Sequence, residues 1–563
     1  MSKAAGPDFP LRKRASHDAL FPAVRQLADQ LILLALLASI CLFILYPMVC
    51  ILWRSLQDGG GVSFAMYAHV WRKYRQSLYN SVLTATCTAL LCTAFSVAAA
   101  LLTATGKGWL RVLGMGLLLI TMVSPPFVSS LAYIQLYGRR GWITYRVLGL
   151  SLDPYNCWGV ILMQSLSFVP VNALFLMGML TKMDQGSLLA ARDLGARPKH
   201  ILRDVVLPLI RPGILVCLLL SFVRSLADFG TPVIIGGRFS TIASDIYMQL
   251  MGFSDLEKAS AMNMTLLLPS VAAFFLYRYL MVKTGSTSGE RSQQRGLWLP
   301  LHRCGALGGI LAGGGIFFFL VLVLQYICIF ASGFIKRVKG VSVFTLDHLE
   351  RLMRYNADTL VRSMVYALIV ALAGTFFAML FSYYVYRRKV RFGSFFDCLA
   401  TLPYMLPGTC FGIGYILAFN HPPLKLTGTA LIVIANMLFK QLPTTTKICT
   451  AALAQIPDAQ EKAVRDLGGD KLTVIKDVIL PGMRPAFLSC FAYNFSSSMT
   501  TSGAVLFLID PGNQLAVFRL FDAVNKGEYS MAALIATFII LIVVVVEGLV
   551  YLLASRKEKA HVS

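Results

Sequence analysis

Residues 188–212 read LLAARDLGARPKHILRDVVLPLIRP, and residues 461–485 read EKAVRDLGGDKLTVIKDVILPGMRP. The two stretches align with a constant offset of 273 residues (468 − 195), which pairs Gly195 with Gly468, Asp193 with Asp466, and Pro208 with Pro481. Long apolar segments flank both stretches. The sequence therefore predicts that one membrane unit occurs twice in this chain.

The composition places the chain in a bilayer. It has 563 residues, of which 57% are hydrophobic and 14% charged, with a mean hydropathy of +0.68. A spanning helix needs about 20 mostly apolar residues. About a dozen segments qualify, and they lie near 29–53, 78–104, 110–137, 157–181, 210–231, 260–282, 305–332, 359–386, 394–420, 428–454, 485–509 and 531–555. We therefore expect an all-α polytopic membrane protein with about 12 transmembrane helices.

A polar run separates six predicted spans from the next six. We take residues 283–304 as a cytoplasmic linker between a first half, 29–282, and a second half, 305–555. Because six is even, both halves enter the membrane with the same orientation. A parallel repeat of this kind predicts a pseudo-two-fold axis along the membrane normal, with a solute path between the halves. Short tails, 1–28 and 556–563, complete the chain.

Positive charge predicts the orientation. Basic residues precede the first span, and Lys and Arg concentrate on the cytoplasmic side of short loops. Both tails are therefore expected in the cytoplasm. The net charge of +24 is largely this topology signal. Because the basic residues are dispersed between spans, the sequence predicts no nucleic-acid partner.

Motifs of catalysis are absent from the sequence. There is no Gly-x-x-x-x-Gly-Lys-Ser/Thr phosphate loop, and the seven His do not cluster with carboxylates at ligand spacing. The sequence thus predicts no cofactor, no bound metal and no ATP hydrolysis by this chain.

The repeated stretch predicts a short helix, a Gly-permitted bend, a second amphipathic helix and a Pro stop. We define the first repeat loop as residues 184–208 and the second repeat loop as residues 457–481. A single such loop favours an interfacial anchor lying on the membrane surface. Two copies that both keep Arg-Asp-Leu-Gly and Leu-Pro favour a protein-docking role, and here Asp193 and Asp466 belong to the shared text.

The loops resemble the EAA motif of ABC-importer membrane subunits, whose pattern is Glu-Ala-Ala, three residues, Gly, nine residues, Ile-x-Leu-Pro. The matching residues are Ala190, Ala191, Gly195, Val205, Leu207 and Pro208 in the first copy, and Ala463, Gly468, Val478, Leu480 and Pro481 in the second. The family's Glu is replaced by Leu189 and Lys462, with Glu461 displaced by one residue. The resemblance implies a type I importer permease in a bacterial inner membrane, two cytoplasmic ABC ATPase subunits docked on these loops, and an extracytoplasmic solute-binding protein.

Fusion of two halves in one chain resembles the ferric-iron and thiamine permease branch. Residues 225–250, SLADFGTPVIIGGRFSTIASDIYMQL, are most similar to ferric-iron permeases. The resemblance implies ferric iron as substrate, with a phosphonate, another phosphorylated anion or thiamine as alternatives. An ion-coupled secondary transporter is the alternative class, but such carriers typically hold carboxylates deep in their spans, and here Asp228 is nearly alone.

Polar residues inside apolar spans are candidates for the translocation path, because they are costly in a membrane. Arg224 and Asp228 lie four residues apart on one predicted helix and are able to pair. The remaining candidates are Gln164, Asn172, Asn436, Asn494 and Thr501. Prolines in SPPF (124–127) and LPYMLPG (402–408) predict a kink in the third span of each half, as a packing feature or a gate hinge.

Overall fold

The computed structural model describes residues 14–58, 61–149, 153–181, 183, 185–284, 299, 301–338, 341–404 and 406–562. Most of the predicted linker 283–304, residues 1–13 of the predicted N-terminal tail, and Asp184 at the start of the first repeat loop lie outside the described residues.

Helices build the first half of the chain. The first helix begins inside the predicted tail, at Arg14. The helical segments are Arg14–Ile40, Cys41–Leu45, Tyr46–Ser55, Ala65–Thr105, Trp109–Val123, Val128–Tyr137, Trp142–Val147, Cys157–Thr181, Gln185–Asp193, Pro198–His200, Ile201–Val206, Leu207–Ala227, Gly230–Ile235, Ile242–Phe253 and Leu256–Thr284. One two-stranded antiparallel hairpin, Gln57–Asp58 with Gly61–Val62, follows the first helix.

The second half repeats this order. After a short helical turn in the linker, Leu301–Arg303, its helical segments are Gly305–Ser332, Asp347–Tyr355, Ala357–Ser382, Tyr383–Arg387, Gly393–Thr401, Leu402–Tyr404, Gly408–Phe419, Ala430–Leu453, Asp458–Asp466, Lys471–Val474, Ile475–Ile479, Leu480–Gly482, Arg484–Thr500, Val505–Phe507, Pro511–Asn513, Ala516–Asn525 and Tyr529–Val562. A second antiparallel hairpin, Ile335–Val338 with Val341–Phe344, again follows the first helix of the half.

Among the described residues, eight helices are long and apolar enough to cross a membrane. Two further pairs of helices are each sharply bent at a short break, and each pair crosses the membrane only if its two helices are taken as one span. The bends are 107° between Trp109–Val123 and Val128–Val147, and 113° between Gly393–Tyr404 and Gly408–Phe419. These are the two segments in which prolines predict kinks. The two predicted spans that remain, 428–454 and 485–509, coincide with the helices Ala430–Leu453 and Arg484–Thr500, which are not among the eight.

Both halves begin at the end of the bundle where the repeat loops lie. Cys304, at the start of the second half, donates its thiol to the carbonyl oxygen of Pro198 in the first repeat loop at 3.5 Å. Asp29 of the first helix forms an ion pair with Arg388 at 2.6 Å, and the neighbouring Arg387 contacts the second repeat loop. The two halves are therefore oriented in parallel.

The first helix of each half packs against the other half. The ring of Phe43 lies 5.0 Å from that of Phe439 and 5.5 Å from that of Phe419. In the reciprocal contact, the Cβ that Gly315 lacks would lie 2.9 Å from the carbonyl oxygen of Ala98. Glycine thus permits the backbone of Gly305–Ser332 to approach Ala65–Thr105 closely. Each half of the sequence is completed in space by the first helix of its counterpart.

Candidate functional site

The two repeat loops have the same backbone geometry. Gly195 and Gly468 both have φ of +82°, a conformation that glycine adopts without steric cost. The amide of Gly195 donates to the carbonyl of Arg192 at 2.8 Å, and that of Gly468 donates to the carbonyl of Arg465 at 2.9 Å. Each glycine therefore ends the first helix of its loop with the same left-handed cap.

A leucine precedes each of these glycines, and both leucines project from the protein. Leu194 and Leu467 are each 89% exposed, the largest values among the exposed apolar side chains of the described residues. Charged residues precede both leucines, so these side chains do not belong to an apolar belt facing lipid. A single exposed leucine needs no explanation, but the same exposure at both repeat-related positions favours a role that the two loops share.

Most of the other predicted docking residues are also accessible. The exposed ones are Ala190, Asp193 and Pro208 in the first repeat loop, and Ala463, Asp466 and Pro481 in the second. Ala191, Leu207 and Leu480 are half-buried and face the bundle. Each loop thus has an outer face available to a partner and an inner face that holds it to its own half.

The two loops are attached to the bundle by different chemistry. Leu188 is 8% exposed and packs in the apolar core of the first half. Its counterpart at the 273-residue shift is Glu461, which is 6% exposed and contacts Arg387 at 2.5 Å and Arg465 at 3.7 Å. Glu461 thus points inward and is not available to a partner.

Replacing Arg387 by glutamine is expected to loosen the second repeat loop. The change leaves the buried Glu461 with only Arg465 as a cation, at a cost of about 2 kcal/mol, less than for a fully buried pair. Amide hydrogen exchange across Asp458–Asp466 should rise, while exchange in Gln185–Asp193 stays constant. Exchange across Asp458–Asp466 that is the same in the variant and the natural chain would contradict this role for Arg387.

A cavity of about 540 Å³ lies between the two halves. We call it the central cavity. Its wall includes both proline-containing breaks, at Pro125, Pro126 and Pro403, and three of the predicted path residues, Arg224, Asp228 and Thr501. A cavity bounded by both bent segments is placed to change shape when the halves move relative to each other.

Repeat-related residues from the two halves both line the central cavity. The 273-residue shift pairs residues that line the same wall, namely Arg224 with Ser497, Asp228 with Thr501, and Lys440 with Ser167. In each pair one half supplies a charged side chain and the other half a hydroxyl. The cavity therefore lies on the pseudo-two-fold axis, and its polarity is asymmetric.

Arg224 and Asp228 do not pair, contrary to the expectation from their spacing. The helix Leu207–Ala227 ends just before Asp228. The Asp228 carboxylate accepts hydrogen bonds from Gln164 Nε2 at 3.0 Å, from the amide of Gly230 at 3.0 Å and from the amide of Thr231 at 3.2 Å. Because the helix stops at Ala227, this carboxylate caps the next turn, and its negative charge is already satisfied.

The amide candidates lie outside the wall of the central cavity. Gln164 is buried and accepts from Ser225 at 2.6 Å while it donates to Asp228. Asn172 donates to Ser221 at 2.6 Å, and Asn494 donates to Thr375 at 3.2 Å, so both join helices.

The two remaining path candidates differ from these amides. Asn436 is buried, and its amide atoms have no hydrogen-bond partner among the described residues. Thr501 lines the cavity and donates to the Ser497 carbonyl at 2.5 Å.

Lys440 is the functional candidate that sequence reasoning missed. It lies within Ala430–Leu453 and lines the central cavity. Its ammonium is near Gly503, whose missing Cβ would lie 3.2 Å from Lys440 Nζ. A lysine inside a predicted span meets the same criterion as Arg224, so the signal was present in the sequence.

Five aromatic rings from both halves lie beside the central cavity, on the side away from the repeat loops. This aromatic cluster comprises Phe127, Phe229, Tyr247, Phe507 and Phe521. Ring centroids are 4.9 Å apart for Phe127 and Phe521, and 5.3 Å apart for Phe229 and Tyr247. Such contacts add to the apolar burial that holds the halves together.

Comparison with known proteins gives a consistent match. The model of the family "Binding-protein-dependent transport system inner membrane component" matches residues 62–284 and again residues 371–559. The two matches correspond to the two halves and include both repeat loops.

Three relatives illustrate the range of similarity. The ferric transport system permease protein FbpB of Actinobacillus pleuropneumoniae is 28% identical over 92% of this chain and 77% of its own length. A Haemophilus influenzae protein, named provisionally as a ferric transport system permease, is 30% identical over 88% of this chain and 80% of its own length. The molybdenum transport system permease protein ModB of Mycobacterium tuberculosis is 32% identical over 35% of this chain and 75% of its own length.

Proposed function

This chain belongs to the family of inner membrane components of binding-protein-dependent transport systems, and from that membership we propose its substrate, its docking sites and its mechanism. It is a multi-pass ABC importer permease and not an enzyme. Proteins of this family work with a solute-binding protein and an ATPase.

The repeat loops are the proposed docking sites for two cytoplasmic ABC ATPase subunits, one on each loop. The observation that carries this proposal is the identical geometry of the two loops. Gly195 and Gly468 share one backbone conformation, and Leu194 and Leu467 share one exposure, at the same end of the bundle. Two equivalent docking loops are suited to two copies of the same partner. With this end in the cytoplasm, both tails are cytoplasmic, and the solute-binding protein docks on the opposite side.

The central cavity is the proposed translocation site. ATP binding would draw the two ATPase subunits together, and the repeat loops would carry that movement to the halves. The aromatic cluster lies between the cavity and the far end of the bundle, so separating the halves there would open a path from the binding protein. Hydrolysis would return the halves and release solute on the side of the repeat loops. The chain needs no catalytic residue for this cycle.

Ferric iron is the proposed substrate. Two relatives whose names include ferric transport align with about nine-tenths of the chain, whereas the molybdenum permease aligns with about a third of it. The alternatives are a phosphonate or another phosphorylated anion, which the polar cavity also suits, and thiamine.

Reconstitution tests the proposal. The chain, the ATPase and the binding protein encoded beside its gene are placed in liposomes, and uptake of ⁵⁵Fe delivered by the binding protein is measured. We expect ⁵⁵Fe to accumulate only when ATP is present on the side of the membrane where the repeat loops lie. Accumulation should stop when the ATPase subunit is omitted. Uptake that continues without the ATPase, driven by an ion gradient, would overturn the importer mechanism in favour of a secondary carrier.

A further inference from the structure

The wall of the central cavity carries two cations that no described residue of the wall neutralises. Arg224, Lys440 and Asp228 are its charged side chains. The carboxylate of Asp228 is bound by three donors of its own half. Among the described residues, Arg224 and Lys440 form no ion pair. The cavity therefore presents a net positive surface.

A cation without a partner inside a membrane protein is costly, and such residues mark solute pathways. In a low-dielectric cavity the field of two cations acts strongly on a charged solute, because little water screens it. A bare cation would be repelled from this cavity, and an anion would replace the missing partner of Arg224 and Lys440.

The cavity also lacks a ligand set for a bare metal ion. No group of three or more His, Cys, Asp or Glu side chains is placed to hold a metal within the part of the chain that the structure describes. Several hydroxyls on the wall are already engaged, since Tyr493 donates to Thr444 at 3.1 Å and Ser167 donates to the carbonyl of Met163 at 2.8 Å. Hard trivalent cations require several anionic oxygen ligands, and this wall does not supply them.

We propose that Arg224 and Lys440 form an anion-selective site in the central cavity, and that the solute crosses as a species of net negative charge. This inference rests on the proposed function for its location in the path. For ferric iron it means that the metal crosses together with oxyanion ligands such as carboxylates or phosphates. Arg224 supplies a planar donor fork suited to those oxygens, and Lys440 a compact charge.

Binding to the purified chain in nanodiscs tests the inference without ATPase. The probe is ⁵⁵Fe complexed with an excess of [¹⁴C]citrate, and in a second arm [³²P]pyrophosphate replaces the citrate. We expect both isotopes to be retained together by the natural chain. Arg224→Met and Lys440→Met should each weaken retention about tenfold, and Lys440→Arg should restore most of it.

Lys447→Met is the matched control. Lys447 lies on the same helix, but it pairs with Asp397 at 3.1 Å and is not on the cavity wall. This variant should retain both isotopes as the natural chain does. Retention of ⁵⁵Fe without its anion, or unchanged binding in both Met variants, would overturn the inference.

Uptake in the reconstituted system separates this inference from the proposed function. Entry of the labelled anion without iron would support the anion site and reject ferric iron as substrate. Iron entering alone would support the proposed substrate and overturn the anion site. In the Arg224→Met and Lys440→Met variants, uptake of both isotopes should fall in parallel, because iron and its anion enter as one complex.

Discussion

Replacing Leu194 and Leu467 together by aspartate is expected to abolish attachment of the ATPase. Burial of a leucine contributes about 2 kcal/mol, so loss of both weakens a two-site complex by on the order of a thousandfold. Placing a carboxylate in an apolar groove adds a further desolvation cost. The ATPase subunit should no longer co-purify with the chain, and ATP-dependent uptake should fall to background.

The fold should survive these substitutions, because both leucines are 89% exposed and contribute little to the core. The melting temperature in detergent therefore stays close to that of the natural chain. Leu424→Asp is the matched control, since Leu424 is also an exposed leucine but lies in the loop before Ala430–Leu453, at the opposite end of the bundle. Full co-purification of the ATPase with the double variant would reject the repeat loops as its docking sites.

Replacing Gly408 by valine is expected to destabilise the contact between the second bent span and the turn after Arg484–Thr500. Even the first added carbon would lie 2.9 Å from the Cα of Gly503 and 3.2 Å from the amide nitrogen of Ala504. These are backbone atoms, which cannot move aside as a flexible side chain can. We expect a loss of roughly 3 kcal/mol in the free energy of unfolding, a lower melting temperature and uptake below a tenth of the natural rate.

Two further glycines calibrate this result. Gly116→Val introduces the same side chain where nothing lies within 4 Å of the added carbon, and it should leave the melting temperature nearly unchanged. Gly230 contacts the break of the first bent span, where the added carbon would overlap the ring of Phe127. That ring is buried and packs against Phe521, so it has little room to turn aside, and Gly230→Ala is also expected to lower the melting temperature. Equal stability of the Gly408 and Gly116 variants would show that the backbone contact does not hold the break.

The sequence was sufficient to predict the parallel repeat, because two copies at a constant offset need the same backbone conformation at the same positions. Gly195 and Gly468 each need φ of +82°, and this need is visible as an invariant letter between the copies. The prolines likewise predicted both broken spans. Family membership followed from the same repeated text.

Other features depend on contacts between distant segments. Spacing allowed Arg224 to pair with Asp228, but the helix ends at Ala227, and the carboxylate turns to Gln164 and two backbone amides. Span amides such as Asn172 looked like path residues, yet their partners lie on neighbouring helices. Lys440 was visible in the sequence, but only the cavity joins it to Arg224. The role of the displaced Glu461 could not be predicted, because its partner Arg387 is 74 positions away in the sequence.

The first helix of each half packs against the other half, and this exchange constrains the order in which the protein can assemble during synthesis. Helix Arg14–Ile40 and its continuation to Ser55 leave the ribosome first, yet Phe43 packs against Phe419 and Phe439. At a synthesis rate of about 10 residues per second, their partners emerge roughly 40 seconds later. During that interval Phe43 remains without these two partners. Biogenesis of the first half therefore ends only when the second half is nearly complete, which favours producing both from one message.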